Sequence, residues 1–410
     1  MTGDTPDTAK TYRFAIALTL CMFVIWGLAH RLYDTLLPDF AAALALNEYQ
    51  QSLAGWALSF GYYLMALPAA LISRNFGYKS GVVFGLGTFA VGMFVFYPAA
   101  AQHAFGFFLL AAVVIGSGLA ILEVSADPLV VRLGPKKTAV RRLNIAQALN
   151  PIGVIGGFFL GQYLLTKTVL HSGPDVANAL VTPLCLIGAG VLAFAFLVDN
   201  TKFPPVAIER VARDDQTVRS FRPLFANRLF MRGAGALFLC SAAQTVLWAF
   251  TIRYAMAEVT GMTLAAAKDV VLWSLFAFTI GRFAGTALMF RFDSSILLAI
   301  FAGGGAIATA IAAANGGITG VQCLVAASFF LSIVFPTIFG SSIRDLGADT
   351  KTGAAMLMFA AGSGAAVLAL LNVVTTPATV QYVMAVPSLC FAAIAVFALV
   401  FRKADKAIGQ

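Results

Sequence analysis

Two carboxylates four residues apart, Glu123 and Asp127, stand inside an apolar run that continues through a basic stretch to Asn150: VIGSGLAILEVSADPLVVRLGPKKTAVRRLNIAQALN from Val114. The i, i+4 spacing puts both acids on one helix face. After them come five fixed positive charges, Arg132, Lys136, Lys137, Arg141 and Arg142, and then a second apolar stretch opened by Asn144, Gln147 and Asn150. Spaced i, i+3, i+6, these three amides are expected to share another helix face. A carboxylate in lipid-spanning sequence is expensive unless it meets a partner or a water-lined cavity. Glu123 has no basic residue on its own apolar stretch, so desolvation penalises its charged form and equips it to take up and release a proton. A quiet hydrogen-bonded acid, shared with Gln147 or Asn150, is the plainer alternative. Asp127, nearer the basic loop, suits an ion pair.

A second polar group lies near the outer end of the first apolar span, in WGLAHRLYDTLLP: His30, Arg31, Tyr33 and Asp34. Arg31 and Asp34, three residues apart, can pair along one face, which would make them a structural ion pair. Four polar side chains exceed what one pair needs, so the same stretch also reads as a wall that contacts a ligand. Further along, Gln244, Trp248, Tyr254, Asn372 and Tyr382 add hydrogen-bonding groups and flat apolar faces within the spans. Sugars call for that combination, with donors and acceptors for hydroxyls and rings for C–H faces. Arg282, in Ile280-Gly281-Arg282-Phe283, reads as a gate or interface charge rather than a ligand group.

The elements that must hold these residues follow from composition. With 60% hydrophobic and 11% charged residues over 410 positions, a soluble fold could not hide the apolar surface, and the chain reads as a polytopic membrane protein. About twelve apolar stretches are long enough to cross ~30 Å of hydrocarbon. They lie near 13–37, 52–73, 80–99, 105–132, 141–166, 180–199, 229–254, 266–290, 295–314, 318–342, 353–374 and 379–401. The net charge of +9 does not point to nucleic acid, because the cations sit in short loops between spans. Those loops follow spans 2, 4, 8, 10 and 12, whereas the loops after spans 1, 3, 9 and 11 carry no Lys or Arg, so both termini are expected in the cytoplasm. The polar residues Met1–Lys10 show no cleavage site, and span 1 is expected to remain as an anchor.

The polar segment from Asp199 to Arg228 divides the spans six and six. The expected organisation is an N-terminal six-helix bundle over 1–199, a cytoplasmic linker over 200–228 with one interfacial helix, and a C-terminal six-helix bundle over 229–410. The halves echo each other. Span 4 exits through Pro128, Arg132-Leu133-Gly134 and Lys137-Thr138; span 10 exits through Pro336, Arg344, Leu346-Gly347 and Lys351-Thr352. Internal similarity of this kind marks a transporter built from repeats. Pro68, Pro128, Pro151, Pro336 and Pro387 are places where spans can kink. The five cysteines are scattered in apolar runs, no metal-ligand spacing occurs, and there is no nucleotide fingerprint, so the energy source is expected to be an ion gradient, with no cofactor, no metal and no enzymatic activity.

Several motifs in order carry a family resemblance over nearly the whole chain. They are DTLLP at Asp34–Pro38, LE-x-x-A-x-P at Leu122–Pro128 and RLN-x-AQ-x-x-N at Arg142–Asn150. In the second half they are AQT-x-x-W at Ala243–Trp248, IRYA at Ile252–Ala255, GMT at Gly261–Thr263, IGRF-x-GT at Ile280–Thr286, PTIF at Pro336–Phe339 and LG-x-DTK-x-G at Leu346–Gly353. The chain resembles the L-fucose–proton symporters of the major facilitator superfamily. That resemblance implies an all-α membrane protein of twelve transmembrane helices, in two six-helix bundles around a central cavity, working by alternating access as a monomer in a bacterial inner membrane. It implies symport of a monosaccharide with a proton: Glu123 would take up the proton, Asp34 would bind sugar or relay the proton, and the helix-5 amides would be Gln147 and Asn150. The chain departs from the family pattern at His30, Arg31, Tyr33, Asp127 and Phe335. Two readings follow. Either Arg31 and Asp127 compensate each other and the substrate is a neutral sugar, or Arg31 binds the carboxylate of a sugar acid. A proton-driven drug exporter and a non-transporting sugar sensor are the alternatives from other classes.

Overall fold

The computed structural model of the chain describes residues 12–43, 46–102, 104–168, 174–208 and 222–408. The N-terminal stretch Met1–Lys10 and linker residues 209–221 lie outside it. Twelve helices are long and apolar enough to cross a membrane, and they fall where the apolar stretches put them. We number them α1 (Arg13–Ala43), α2 (Glu48–Phe76), α3 (Tyr78–Ala101), α4 (Phe105–Arg132), α5 (Ala139–Ala148 and Asn150–Thr168) and α6 (Pro174–Asn200). In the second half they are α7 (Arg228–Glu258), α8 (Leu264–Leu288), α9 (Ser294–Asn315), α10 (Gly317–Leu331 and Val334–Ile343), α11 (Thr350–Ser363 and Ala365–Val374) and α12 (Val380–Val383 and Ala385–Ile408). Polar caps start several of them. Asn47 and Gln50 form a reciprocal capping box on α2, Asn227 accepts from two amides of α7, and Asp293 does the same for α9.

Prolines have two outcomes. Pro68, Pro98, Pro128 and Pro183 sit inside continuous helices. Before Pro151 the helix is interrupted at Leu149, and before Pro336 at Ser332–Ile333. The three amides Asn144, Gln147 and Asn150 therefore do not form one helical face, because the interruption falls between the second and the third.

The chain divides into two compact units. One comprises Met1–Gly134 and Leu149–Asp215, and the other Pro135–Ala148 and Gln216–Gln410. The short stretch Pro135–Ala148 thus packs with the second unit, although the six-and-six division of the sequence attaches it to the first.

In the first unit, α1 lies along the Asn150–Thr168 part of α5, α4 packs against both α2 and α3, and α6 packs on α3. Without a hydrophobic drive between helices in lipid, contact depends on close backbone approach at small residues. Gly153, Gly157 and Gly161 recur every four residues on α5 and face the Val24 carbonyl, the Leu28 carbonyl and the Thr35 side chain of α1. Gly116 of α4 meets the Leu58 carbonyl of α2 in the same way. In the second unit, α7 packs on α10, α11 and α12, α8 on α10, and α9 on α10 and α12, while Ala139–Ala148 docks on α8 and on Val334–Ile343.

Candidate functional site

In the first unit the acids of α4 occupy an enclosed stretch, with every residue from Ile115 to Val131 buried. Glu123 is 8% exposed and Asp127 fully buried. Between them in sequence but on the opposite face of α4, Ser125 Oγ bonds Ser73 Oγ of α2 at 2.7 Å and donates to its own Ile121 carbonyl, so it is the face away from the acids that is fixed against α2. Asn150 opens the second part of α5 and donates from Nδ2 to the Phe23 carbonyl of α1 at 3.3 Å. Gly27, one turn further on, leaves room for the Asn150 backbone and places Asn150 Nδ2 2.9 Å from where a Cβ would stand.

The candidate residues of α1 divide by environment. Tyr33 is buried, donates to the Ala54 carbonyl of α2 at 2.7 Å and stacks on Phe108, with ring centroids 6.4 Å apart. The Arg31 guanidinium lies over the Phe158 ring, 5.6 Å from its centroid, a cation–π contact with α5. The His30 ring is 5.9 Å from Trp26, and His30 Nδ1 and Trp26 Nε1 are buried without a hydrogen-bond partner among the described residues. Asp34 lies in α1, and its side chain is outside the described set.

These contacts also fix depth. Leu32, Tyr33, Leu36 and Leu37 of α1 line one small apolar cavity together with Phe108 and Ile115 of α4, so the turn that carries Asp34 is level with that part of α4. Glu123 lies eight residues beyond Ile115 and fifteen beyond Phe108, roughly 12–22 Å deeper at 1.5 Å per residue. Asn150 meets α1 at Phe23 and Gly27, about 10–16 Å from the turn of Asp34 by the same measure. Glu123 and Asn150 are therefore the deep groups of this unit, and His30, Arg31, Tyr33 and Asp34 the outer ones. By the same measure Arg31 and Asp127 are roughly 13–24 Å apart in depth, which speaks against the expected compensation between them.

The second unit holds the remaining candidates in one run of contacts. Trp248 of α7 donates from Nε1 to Ser328 Oγ of α10 at 3.3 Å and sets its ring edge-on to Phe278 of α8, with centroids 5.3 Å apart. Phe278 in turn lies under the Arg282 guanidinium, 4.7 Å from its centroid. Arg282 is buried and donates to the main-chain carbonyl of Gln147 at 3.3 Å. Gln147 itself is buried, and Gln244 is half-buried one turn before Trp248. Asn144 is fully buried and donates from Nδ2 to its own Val140 carbonyl and to Thr337 Oγ1 of α10 at 3.2 Å.

Sequence reasoning missed Phe278, which joins Trp248 to Arg282, since a Phe in an apolar span carries no signal of its own. It also missed Arg253, near the C-terminal end of α7, whose guanidinium donates to Asn372 of α11 at 2.8 Å. A lone Arg in an apolar span was the signal that could have found it. Among the described residues, no group of His, Cys, Asp and Glu is arranged to hold a metal ion.

Residues 16–370 match the Major Facilitator Superfamily. The chain is 34% identical to the L-fucose-proton symporter of Escherichia coli K12, over 95% of this chain and 93% of that one. The chain belongs to the L-fucose–proton symporter family of the major facilitator superfamily. It is also 29% identical to a glucose/galactose transporter of Brucella abortus, over 97% and 96% of the two chains. Among solved structures, it matches the E. coli fucose–proton symporter crystallised in the outward conformation with a TM-score of 0.88 at 33% identity, over 95% of this chain and 99% of that one. The expected all-α fold of twelve membrane helices holds, and the chain is a multi-pass membrane transporter.

Proposed function

We propose that the chain carries a neutral monosaccharide, fucose-like or another hexose or pentose, into the cytoplasm together with a proton. The observation that carries this reading is Glu123, a carboxyl 8% exposed in a wholly buried stretch of α4 with Asp127 one turn away. Two acids on one enclosed face repel when both are charged, so a proton taken up or released there answers to changes in the surroundings of that face. In the first unit the proton is handled by Glu123, with Asn150 as a deep sugar ligand and Asp34, His30 and Arg31 as outer groups. In the second unit Gln147, Gln244 and Trp248 supply amides and an aromatic face for the sugar, while Arg282 and Asp127 act in gating. The sugar-transporting relatives support the substrate class. Both termini are cytoplasmic, the two six-helix halves run over 1–199 and 229–410, and the working unit is a monomer driven by the proton gradient.

The test is sugar-induced alkalinisation outside energised inside-in vesicles, across neutral aldoses and sugar acids. One neutral sugar is expected to give alkalinisation, and Glu123→Gln to abolish it while leaving sugar exchange. A response confined to sugar acids and lost in Arg31→Ala would replace the neutral-sugar reading with the acid one. Sugar exchange without proton movement in the parent protein would remove Glu123 from coupling.

A further inference from the structure

A regular α-helix would satisfy the carbonyl of residue 147 with the amide of residue 151. Residue 151 is a proline, which has no N–H to give. The helix is interrupted at this point: Ala139–Ala148 ends, Leu149 is a turn, and a new helix starts at Asn150. The carbonyl that proline cannot serve is the one that receives Arg282 Nη1. Arg282 comes from α8, 135 residues away in sequence, and is 6% exposed.

Three further contacts hold that arginine in place. Its guanidinium lies on Phe278, one turn earlier on α8. Thr286, one turn later, donates to the Arg282 carbonyl at 2.6 Å and approaches the Asn144 carbonyl at 3.5 Å, tying the same turn of α8 to the same short helix. Gly281, the preceding residue, sets the backbone of α8 against the Phe329 carbonyl, with Ser332 Oγ 2.7 Å from where a Cβ would stand. Ser332 is where α10 is interrupted before its own proline, Pro336. The Gly-Arg pair therefore seats α8 on the interruption of α10 and reaches the interruption of α5.

We propose that Arg282 is a positioning residue for Gln147: by donating to the carbonyl that Pro151 leaves to an outside donor, it latches the end of the Ala139–Ala148 helix and fixes the pose of the Gln147 amide. The inference rests on the reading of Gln147 as a sugar ligand only for its functional consequence. The latch itself is a statement about backbone hydrogen bonding.

The latch makes Arg282 and Pro151 energetically dependent on each other, which a double-mutant cycle measures. The full-length protein is compared as parent, Arg282→Ala, Pro151→Ala and the double variant, in nanodiscs and in proteoliposomes. Hydrogen–deuterium exchange of peptides covering residues 143–153 reads the latch. Counterflow of L-fucose and D-galactose reads its effect on sugar. A charge-assisted hydrogen bond of this kind corresponds to roughly a 10–100-fold change in an equilibrium. Arg282→Ala is expected to speed exchange in that segment and to raise the half-saturation concentration by about tenfold or more, with the maximal exchange rate within about twofold per folded transporter. In the Pro151→Ala background, where an amide is restored, the same substitution is expected to change both readings by less than about threefold. Equal effects of Arg282→Ala in the two backgrounds would overturn the latch, as would a loss of maximal rate with half-saturation unchanged. If neither sugar exchanges in the parent, the reading of Gln147 as a sugar ligand fails, and the deuterium cycle alone still decides the latch. Should Arg282→Ala not accumulate, Arg282→Lys, whose shorter side chain ends in one ammonium nitrogen in place of the planar fork, takes its place in the cycle.

Discussion

Gly153 and Gly156 lie one helical turn apart on α5 and should respond to the same substitution with opposite sign. Replacing a glycine by alanine within a helix ordinarily gains about 0.5–1 kcal/mol, because the unfolded chain loses freedom and the helix gains a better former. A Cβ on Gly156 meets nothing within 4 Å, so Gly156→Ala should show that gain or none. A Cβ on Gly153 would stand inside contact distance of the Val24 carbonyl and 2.8 Å from the Leu28 nitrogen, both backbone atoms of α1. Backbone atoms cannot swing aside, so α1 must retreat from α5 by about an ångström, and overpacking of this kind costs about 1–3 kcal/mol. The two variants should therefore differ by about 2–4 kcal/mol in folding stability. The retreat also opens the seat of Asn150 against Phe23, so Gly153→Ala should weaken sugar exchange as well. Reversible unfolding in mixed detergent and lipid, with counterflow on the same preparations, measures both effects. Equal stability of the two variants, or a destabilised Gly156→Ala beside a parent-like Gly153→Ala, would refute the packing of α1 on α5 described above.

Tyr33→Phe removes the bond to the Ala54 carbonyl; it should cost about 0.5–1.5 kcal/mol of stability and leave the half-saturation for sugar within twofold, whereas a large rise in half-saturation would make Tyr33 a sugar ligand. Asp345, in the loop after α10, is partly buried, which opposes ionisation, yet hydrogen bonds and charge from Arg344 at 2.9 Å and Lys136 at 3.2 Å hold its carboxyl below the usual carboxylate range. A depressed folded-state value means that the ionised pair stabilises above the unfolded carboxylate range and that this contribution is lost as pH falls through the lower folded value. The stability difference between parent and Asp345→Asn should accordingly be present at neutral pH and close below about pH 4; a difference that persisted there would remove the ion pair as its cause.

The twelve spans were legible because lipid leaves few choices. A stretch that crosses hydrocarbon must be long, apolar and helical, and the expected span at 105–132 coincides with α4. The family was legible in ordered motifs such as Leu122–Pro128 and Arg142–Asn150. What local sequence does not contain is which partner each helix segment selects. Nothing within Pro135–Ala148 announces that it packs with α8 and α10, because the contacts that decide it come from Thr337 and Arg282, far along the chain. The face shared by Asn144, Gln147 and Asn150 rested on uninterrupted helical periodicity, and Pro151 breaks that assumption where it matters. Asn144 turns to Thr337 and Asn150 to Phe23 instead. Arg282 was recognisable as a charge that needed a reason to be in a membrane span. Its reason is a carbonyl left to it by a proline on another helix.

Depth bears on how the two acids divide their work. The resemblance carried by the motifs has Glu123 take up the proton and Asp34 bind sugar or relay the proton. The turn that bears Asp34 is level with Phe108 and Ile115, and Glu123 is roughly 12–22 Å deeper along the same helix. No single pyranose ring reaches both, and two carboxyls at that separation exchange a proton only through intervening water or ligand. Asn150, by contrast, meets α1 at Phe23 and Gly27, on the deep side. On the proposed reading, a sugar held by Asn150 would lie at about the depth of Glu123, where its hydroxyls would favour one protonation state of that carboxyl over the other. Coupling needs such a difference in binding free energy between states. The buried nitrogens of His30 and Trp26, without a hydrogen-bond partner among the described residues, lie on α1 between the two levels. The polar groups of the first unit thus stand at two levels, those of α1 beside Phe108 and Ile115, and Asn150, Glu123 and Asp127 further in.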